Sequence, residues 1–208
     1  MNFEKYLIYD LEICKAIPPK NAADRLPDIK YCKDWSDLEG MGIACISWAI
    51  LNTNTLELER TFCSLWDGDP YHQLFSLKTS NRYFIGGFNS WAFDDPLLRR
   101  NDFEIRSDFD ILDLVLVAAG VKGTAYWKQG YKYNLAAIAA ANGMAKTGHG
   151  ENAPILYQKG QITKLLTYCL NDSIVSAEIL VKLLKGELID PNTQQPLKID
   201  PAYLIEHI

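Results

Sequence analysis

Histidine is scarce in this chain. The three, His72, His149 and His207, are scattered, so no zinc cluster is expected, and a surface or hydrogen-bonded role is the plainer reading of each. CxxC pairs are missing too. Cys14, Cys32, Cys45, Cys63 and Cys169 are dispersed and odd in number, too sparse for a disulfide scaffold, and point to a reducing cytoplasm. Basic charge is in deficit: 21 Lys and Arg face 26 Asp and Glu, for a formal charge of −5 and a pI near 5.2. That excludes a surface gripping nucleic acid everywhere. It does not exclude a nuclease, because cations held in an acidic site offset its charge locally. Long apolar runs are also lacking: Ile111 to Val121 is interrupted by Asp113 and is too short to span a bilayer. The first residues, Glu4 included, lead straight into a strand pattern with no room for a leader's basic and apolar regions. The expectation is a soluble, unexported protein with no membrane contact, and neither a repeat nor a low-complexity tract is visible.

What is present fits one domain. The chain has 208 residues, 48% hydrophobic and 23% charged, enough for a sizeable core. Tyr6 to Ile13 reads as a strand, and residues 15–40, with Pro18, Pro19 and Pro27, as a long loop. Met41–Leu51 and Leu56–Leu65 read as a hairpin around Asn52-Thr53-Asn54-Thr55. A short helix is expected over Asp69–Leu77 and a strand over Tyr83–Gly87. Asp94-Asp95-Pro96 then opens a helix to about Asn101. Further helices are expected over 110–119 and, capped by Asn134, over 134–142. An apolar stripe of helical period marks Gln161–Lys185. Residues 187–208 read as a turn and a loosely packed tail on the domain formed by 1–186. Strands in meander followed by alternating helices and strands describe an α/β fold, a mixed sheet flanked by helices of the ribonuclease H-like kind.

Three acidic segments carry the chemistry. Asp10 and Glu12 stand two apart where a strand would otherwise be apolar, so they share a side of the sheet and repel unless a cation lies between them. Asp94 follows a strand and opens a helix. Tyr168 and Asp172 are four apart on the long helix and so are neighbours on its surface.

Tyr9-Asp10-Leu11-Glu12, Gly87-Phe88-Asn89-Ser90-Trp91-Ala92-Phe93-Asp94-Asp95-Pro96-Leu97-Leu98 and Tyr168-Cys169-Leu170-Asn171-Asp172 resemble the three motifs of the DEDDy 3′-to-5′ exonucleases. That family includes the proofreading domains of family A and B DNA polymerases and stand-alone polymerase-B-like enzymes. The middle motif is the most specific, and the resemblance spans residues 6–185. Lys33-Asp34-Trp35 through Met41-Gly42-Ile43-Ala44 looks more loosely like stand-alone or helicase-associated members. The resemblance implies that Asp10, Glu12, Asp94 and Asp172 bind two divalent ions, Mg²⁺ or Mn²⁺, and that Tyr168 orients the attacking water. Oxygen ligands suit such hard ions, and a phenol is a poor base at neutral pH. In the sister DEDDh branch a histidine precedes the last aspartate by five residues; here that position is Thr167.

Substrate contacts are expected from Asn89, and from Phe88 and Trp91 by stacking or by core packing. Lys146 or His149, in a polar loop between helices, is expected to touch substrate. Lys122, Tyr126, Trp127, Lys128, Tyr131, Lys132 and Tyr133 form an acid-free aromatic and basic stretch, read equally as a strand-binding surface or as a β-hairpin covering the core. Asp95, Asp110 and Asp113 read as helix-terminus acids. The expected activity is release of nucleoside monophosphates from the 3′ end of a single strand or a frayed end, in DNA replication or repair. A separate polymerase, helicase or other nucleic-acid enzyme is the expected protein partner. The competing readings are a binding module with an unused site and an endonuclease on the same fold.

Overall fold

In the computed structural model, which describes residues 4–66, 83–103, 107–121, 126–148, 150–200 and 203, the first apolar run forms strand β1 (Lys5–Ile13). The chain then loops out through a 3-10 turn at Ala22–Asp24 and a bridge between Ala16 and Tyr31. It returns through helix α1 (Leu38–Met41), capped by Asp37. β2 (Ile43–Asn52) pairs antiparallel with β1, and β3 (Leu58–Leu65) antiparallel with β2. β4 (Tyr83–Gly87) lies parallel to β1 on its other side, followed by helix α2 (Asp94–Arg100). β5 (Phe109–Asp110) pairs parallel with β4. The sheet order is β3-β2-β1-β4-β5, the mixed sheet expected from the sequence. Helices α3 (Ile111–Ala118), α4 (Leu135–Ala141), α5 (Ala153–Gln158) and α6 (Ile162–Lys185) follow. A small antiparallel pair, β6 (Leu188–Ile189) and β7 (Pro196–Leu197), comes after them.

The period of two in β1 decides what each face of the sheet holds. Leu7, Tyr9, Leu11 and Ile13 pack with Leu97 and Leu98 of α2 and with Phe103. Ile8 points the other way, into a cluster with Ile111 and Val115 of α3, Ile138 of α4 and Val175, Ile179 and Leu183 of α6. Each such aliphatic contributes about 1.5–3 kcal/mol when fully buried. Asp10 and Glu12 continue the Ile8 face and are therefore set beneath α6. Between β4 and α2 the chain passes close to β1: a Cβ on Gly87 would stand 2.9 Å from the Tyr9 carbonyl oxygen, so glycine is required there. Helix α6 ends at Gly186, whose φ of +73° is the left-handed cap that glycine favours.

Four expectations need correction. The second strand begins at Ile43 rather than Met41, because Asp37 caps a turn of helix that takes up Leu38–Met41. The tail is not loosely packed as far as it is described: Leu188, Leu197 and Ile199 are buried in the α6 cluster, and Asp190 closes the β6–β7 turn, its carboxylate accepting from the Asn192 N–H and its own N–H donating to the Gln195 carbonyl. The aromatic and basic stretch is no hairpin in its described part. Tyr126–Gln129 is a 3-10 turn, and Tyr133 is buried with its hydroxyl donating to Asp190 Oδ2 at 3.1 Å. Helix α5 was not expected at all. The proposed helix at Asp69–Leu77 lies outside the described residues, as do Lys122, His72, His149 and His207.

Candidate active site

The C-terminal half of β1 delivers Asp10 and Glu12; one carboxylate oxygen of each and the Cys169 Sγ of α6 lie within 4.8 Å of one another. Asp94 arrives from the first turn of α2, positioned by a strained segment. Asn89 has a φ of +60°, a left-handed conformation that asparagine tolerates better than most residues. Asp110 holds this segment in place: its carboxylate accepts from the Asn89 N–H at 3.1 Å and the Trp91 N–H at 3.0 Å while also capping α3 through Leu112 and Asp113. Asp172 comes from the buried face of α6, one turn beyond Tyr168. Lys146 donates from Nζ to Asp172 Oδ2 at 2.8 Å and lies 5.5 Å from the centroid of the Tyr168 ring. Its loop is fastened to α6 by the N–H and hydroxyl of Thr147, both donating to Asn171 Oδ1 at 3.1 Å.

The electrostatics are those of crowded acids. Burial and then the charge of Asp172 push the Asp10 carboxyl well above the usual carboxylate range, with Lys146 opposing. Glu12 is raised by burial and by Asp10, Asp172 and Asp94. Asp94 is raised by burial, Asp10, Asp95 and Asp110. Asp172 is raised by burial despite the Lys146 ammonium beside it. The Tyr168 phenol is raised by burial and by Glu12, Asp172 and Asp10, which keeps it a neutral hydrogen-bond donor. Among the buried side-chain oxygens of the described residues, Asp172 Oδ1 has no hydrogen-bond partner, at a cost of about 1–3 kcal/mol in such surroundings. Asp10 and Glu12, whose oxygens lie within ligand distance of one another, and the orphaned oxygen of Asp172 form a donor set that fits a hard divalent cation.

Asp10, Glu12 and Asp94 open onto a cavity of about 860 Å³, a size suited to a small-molecule or terminal-nucleotide group. Phe88 and Asn89 line it as well. Its far wall is built from the long loop after β1: Ile17, Pro18, Pro19, Tyr31 and the largely exposed Trp35. Trp35 meets Phe93 edge to face at 6.1 Å between centroids. Gln158 of α5 holds the loop, donating to the carbonyls of Cys14 and Lys30 and accepting from the Lys30 N–H.

These wall residues escaped the sequence reading; the signal was two prolines and two aromatics set in an otherwise polar loop. The structure does not bring Trp91 or Lys128 to the cavity. The Trp91 indole donates to the Ser107 carbonyl at 3.3 Å, and Lys128 is exposed in the 3-10 turn. Lys132, four residues on, is tied to Asn192 at the β6–β7 turn. The side chains of Tyr126 and Trp127, and all of His149, lie outside the described residues. Thr167 is exposed, its hydroxyl bonded back to the Thr163 carbonyl at 2.8 Å.

The sheet, its helices and the acids at the end of β1 define an α/β domain of the ribonuclease H-like kind. Solved structures share that fold. A 3′-exonuclease that recognises the 3′ end of the histone mRNA stem-loop is 15% identical over 97% of this chain and 74% of its own, with a TM-score of 0.51. The nuclease domain of 3′hExo, a DEDDh family member bound to rAMP, is 14% identical over 95% and 98%, with a TM-score of 0.50. Exonuclease I of E. coli in complex with a dT13 oligonucleotide is 13% identical over 88% of this chain and 41% of its own, with a TM-score of 0.51. No protein-family model and no curated protein sequence matches the chain. Among the described residues no helix is long and apolar enough to cross a membrane.

Proposed function

We propose that this chain is a metal-dependent 3′-to-5′ exonuclease of the DEDDy type, releasing nucleoside 5′-monophosphates from single-stranded DNA. The observation that carries the reading is the grouping of acids from three distant segments: Asp10, Glu12 and Asp94 line one cavity, and Asp172, its Oδ1 buried and unpartnered, lies close enough for its charge to raise the Asp10 and Glu12 carboxyls. Asp10, Glu12, Asp94 and Asp172 would hold two divalent ions. When bound, such ions supply Lewis acidity to the phosphodiester and to the attacking water.

The remaining work falls to the chain's own groups. Tyr168 donates its hydrogen bond to the water and fixes its line of approach; as a neutral phenol it holds its proton throughout. Lys146, hydrogen-bonded to Asp172, would offer its ammonium to the scissile phosphate. Phe88 and the wall from Ile17 to Trp35 enclose the terminal nucleoside, and Asn89 orients its sugar or base. Tyrosine at 168 and threonine at 167, rather than histidine, favour the DEDDy over the DEDDh type. The same reading treats residues 1–186 as the nuclease domain with 187–208 packed on it. It places the protein in the cytoplasm, where its five thiols stay free, working in replication or repair beside a separate polymerase or helicase.

The test compares 3′-labelled and 3′-blocked oligonucleotides with Mg²⁺ and with Mn²⁺. Stepwise shortening from an unblocked 3′ end is expected. Cutting that ignores the block identifies an endonuclease, and binding without cutting identifies a module with an unused site.

A further inference from the structure

Beside Asp10, on the α6-facing side of the sheet, lie three thiols that the nuclease chemistry does not use. Cys45 of β2, Cys63 of β3 and Cys169 of α6 have their Sγ atoms all within 4.8 Å of one another, and none is in a disulfide. They stand far apart in sequence and are assembled by the fold. Cys63 pairs with Ser47, two residues from Cys45, so both sulfurs rise on one face of the β2–β3 ladder. Cys169 is lowered onto them from the buried side of α6, where Ser47 Oγ donates to its carbonyl at 2.8 Å. A tetrahedral ion with metal–sulfur bonds of about 2.3 Å holds its sulfurs about 3.8 Å apart, so the three need close by no more than about an ångström.

Thiolate sulfur selects soft cations over Mg²⁺. Cys45 and Cys169 are fully buried, whereas Cys63 is half-buried on the edge strand β3 and gives the cluster an opening. Cys169 also belongs to the acidic group: its Sγ lies 3.7 Å from Asp10 Oδ2 and within 4.8 Å of a Glu12 oxygen. The neutral Ser47 Oγ is nearer, 3.2 Å from the same sulfur, but of these oxygens the Asp10 carboxylate is the one that brings charge to complete a three-sulfur site.

We propose that Cys45, Cys63 and Cys169 form a binding site for a thiophilic divalent cation of the Zn²⁺ or Cd²⁺ class, and that its occupation inhibits the adjacent carboxylate site by drawing on Asp10. Each sulfur exchanges its proton, released to solvent, for a bond to the cation. The inhibitory half rests on the nuclease reading; the binding half does not.

The test titrates the full chain, reduced with a phosphine, with Cd²⁺ and follows the ultraviolet thiolate-to-cadmium charge-transfer band. One Cd²⁺ per chain is expected, unaffected by a large excess of Mg²⁺. Cys63→Ser, on the half-buried edge strand, should weaken binding at least about tenfold, the loss of one metal–sulfur bond. Cys14→Ser, outside the cluster, should bind as wild type. No band, a band that Mg²⁺ removes, or a Cys63→Ser variant that binds as wild type overturns the site. For the inhibitory half, each protein's hydrolysis rate with one equivalent of Cd²⁺ is divided by its own cadmium-free rate. Wild type should lose most of its activity and Cys63→Ser much less. Equal ratios overturn the coupling. If wild type hydrolyses nothing with Mg²⁺ or Mn²⁺, the nuclease reading and the inhibitory half fall together, and the absorption band decides the site alone.

Discussion

Asp94 and Asp95 are adjacent, both buried and both in the first turn of α2, yet they meet opposite surroundings. Asp95 turns toward the Leu11 side of the sheet, where the Tyr9 hydroxyl, the Ser107 N–H at 3.0 Å and the Ser107 hydroxyl at 2.8 Å all donate to it. Asp94 turns toward the cavity, where it meets Asp10 and its proton is held more tightly than usual. The difference separates two uses of a buried acid. An acid satisfied by the protein's own donors ties elements together, whereas one surrounded by other acids asks for a cation from outside.

The comparison breaks most visibly at the cavity acids. Asp10→Ala or Asp172→Ala is expected to reduce hydrolysis to background; Asp10→Ala should leave the metal-free fold as stable as wild type or more so, because it relieves repulsion, whereas Asp172→Ala also strips Lys146 of its partner; 3′-labelled digestion and thermal melts measure both. Wild-type turnover in either variant removes the site. Tyr168→Phe should slow turnover by about ten- to a hundredfold with little change in metal affinity, read from rate against Mn²⁺ concentration. An unchanged rate removes the tyrosine's role. On the satisfied side, Asp95→Ala should cost about 3 kcal/mol, since it orphans Tyr9 and Ser107 donors, whereas Asp94→Asn should leave metal-free stability equal or higher. Denaturant unfolding distinguishes the pair, and equal losses would erase the contrast.

Two smaller effects sharpen the same point. Mn²⁺ at about 100 times its Kd should stabilise the wild type by about 2.7 kcal/mol, and Asp10→Ala should lose that gain. The folded cavity acids hold protons more tightly than the unfolded chain does. Their contribution to metal-free stability is therefore greatest below the ordinary carboxylate value of about 4 and declines as pH rises above it. Melts at stepped pH with a chelator should show this decline, and saturating Mn²⁺ should flatten it.

Much of this was legible in the chain. The alternation through Ile8-Tyr9-Asp10-Leu11-Glu12 set which side chains share a face, because a strand's period is fixed by its backbone. The stripe from Ile162 to Lys185 set the long helix, and four-residue spacing set Tyr168 beside Asp172. The cap at Asn134 was visible, and so was the cap at Asp110. The second task of Asp110, pinning the Asn89–Trp91 turn from another element, was not, nor was helix α5, which offers too few residues for a clear period.

Local backbone geometry was thus written in the sequence, since periodicity and caps act over a few residues. Only the tertiary structure decided which distant groups meet: Lys146 on Asp172, Gln158 on the loop that walls the cavity, and three cysteines gathered between two strands and a helix. Such meetings depend on how elements pack, and packing energy is spread over the whole core rather than carried by any short stretch of residues.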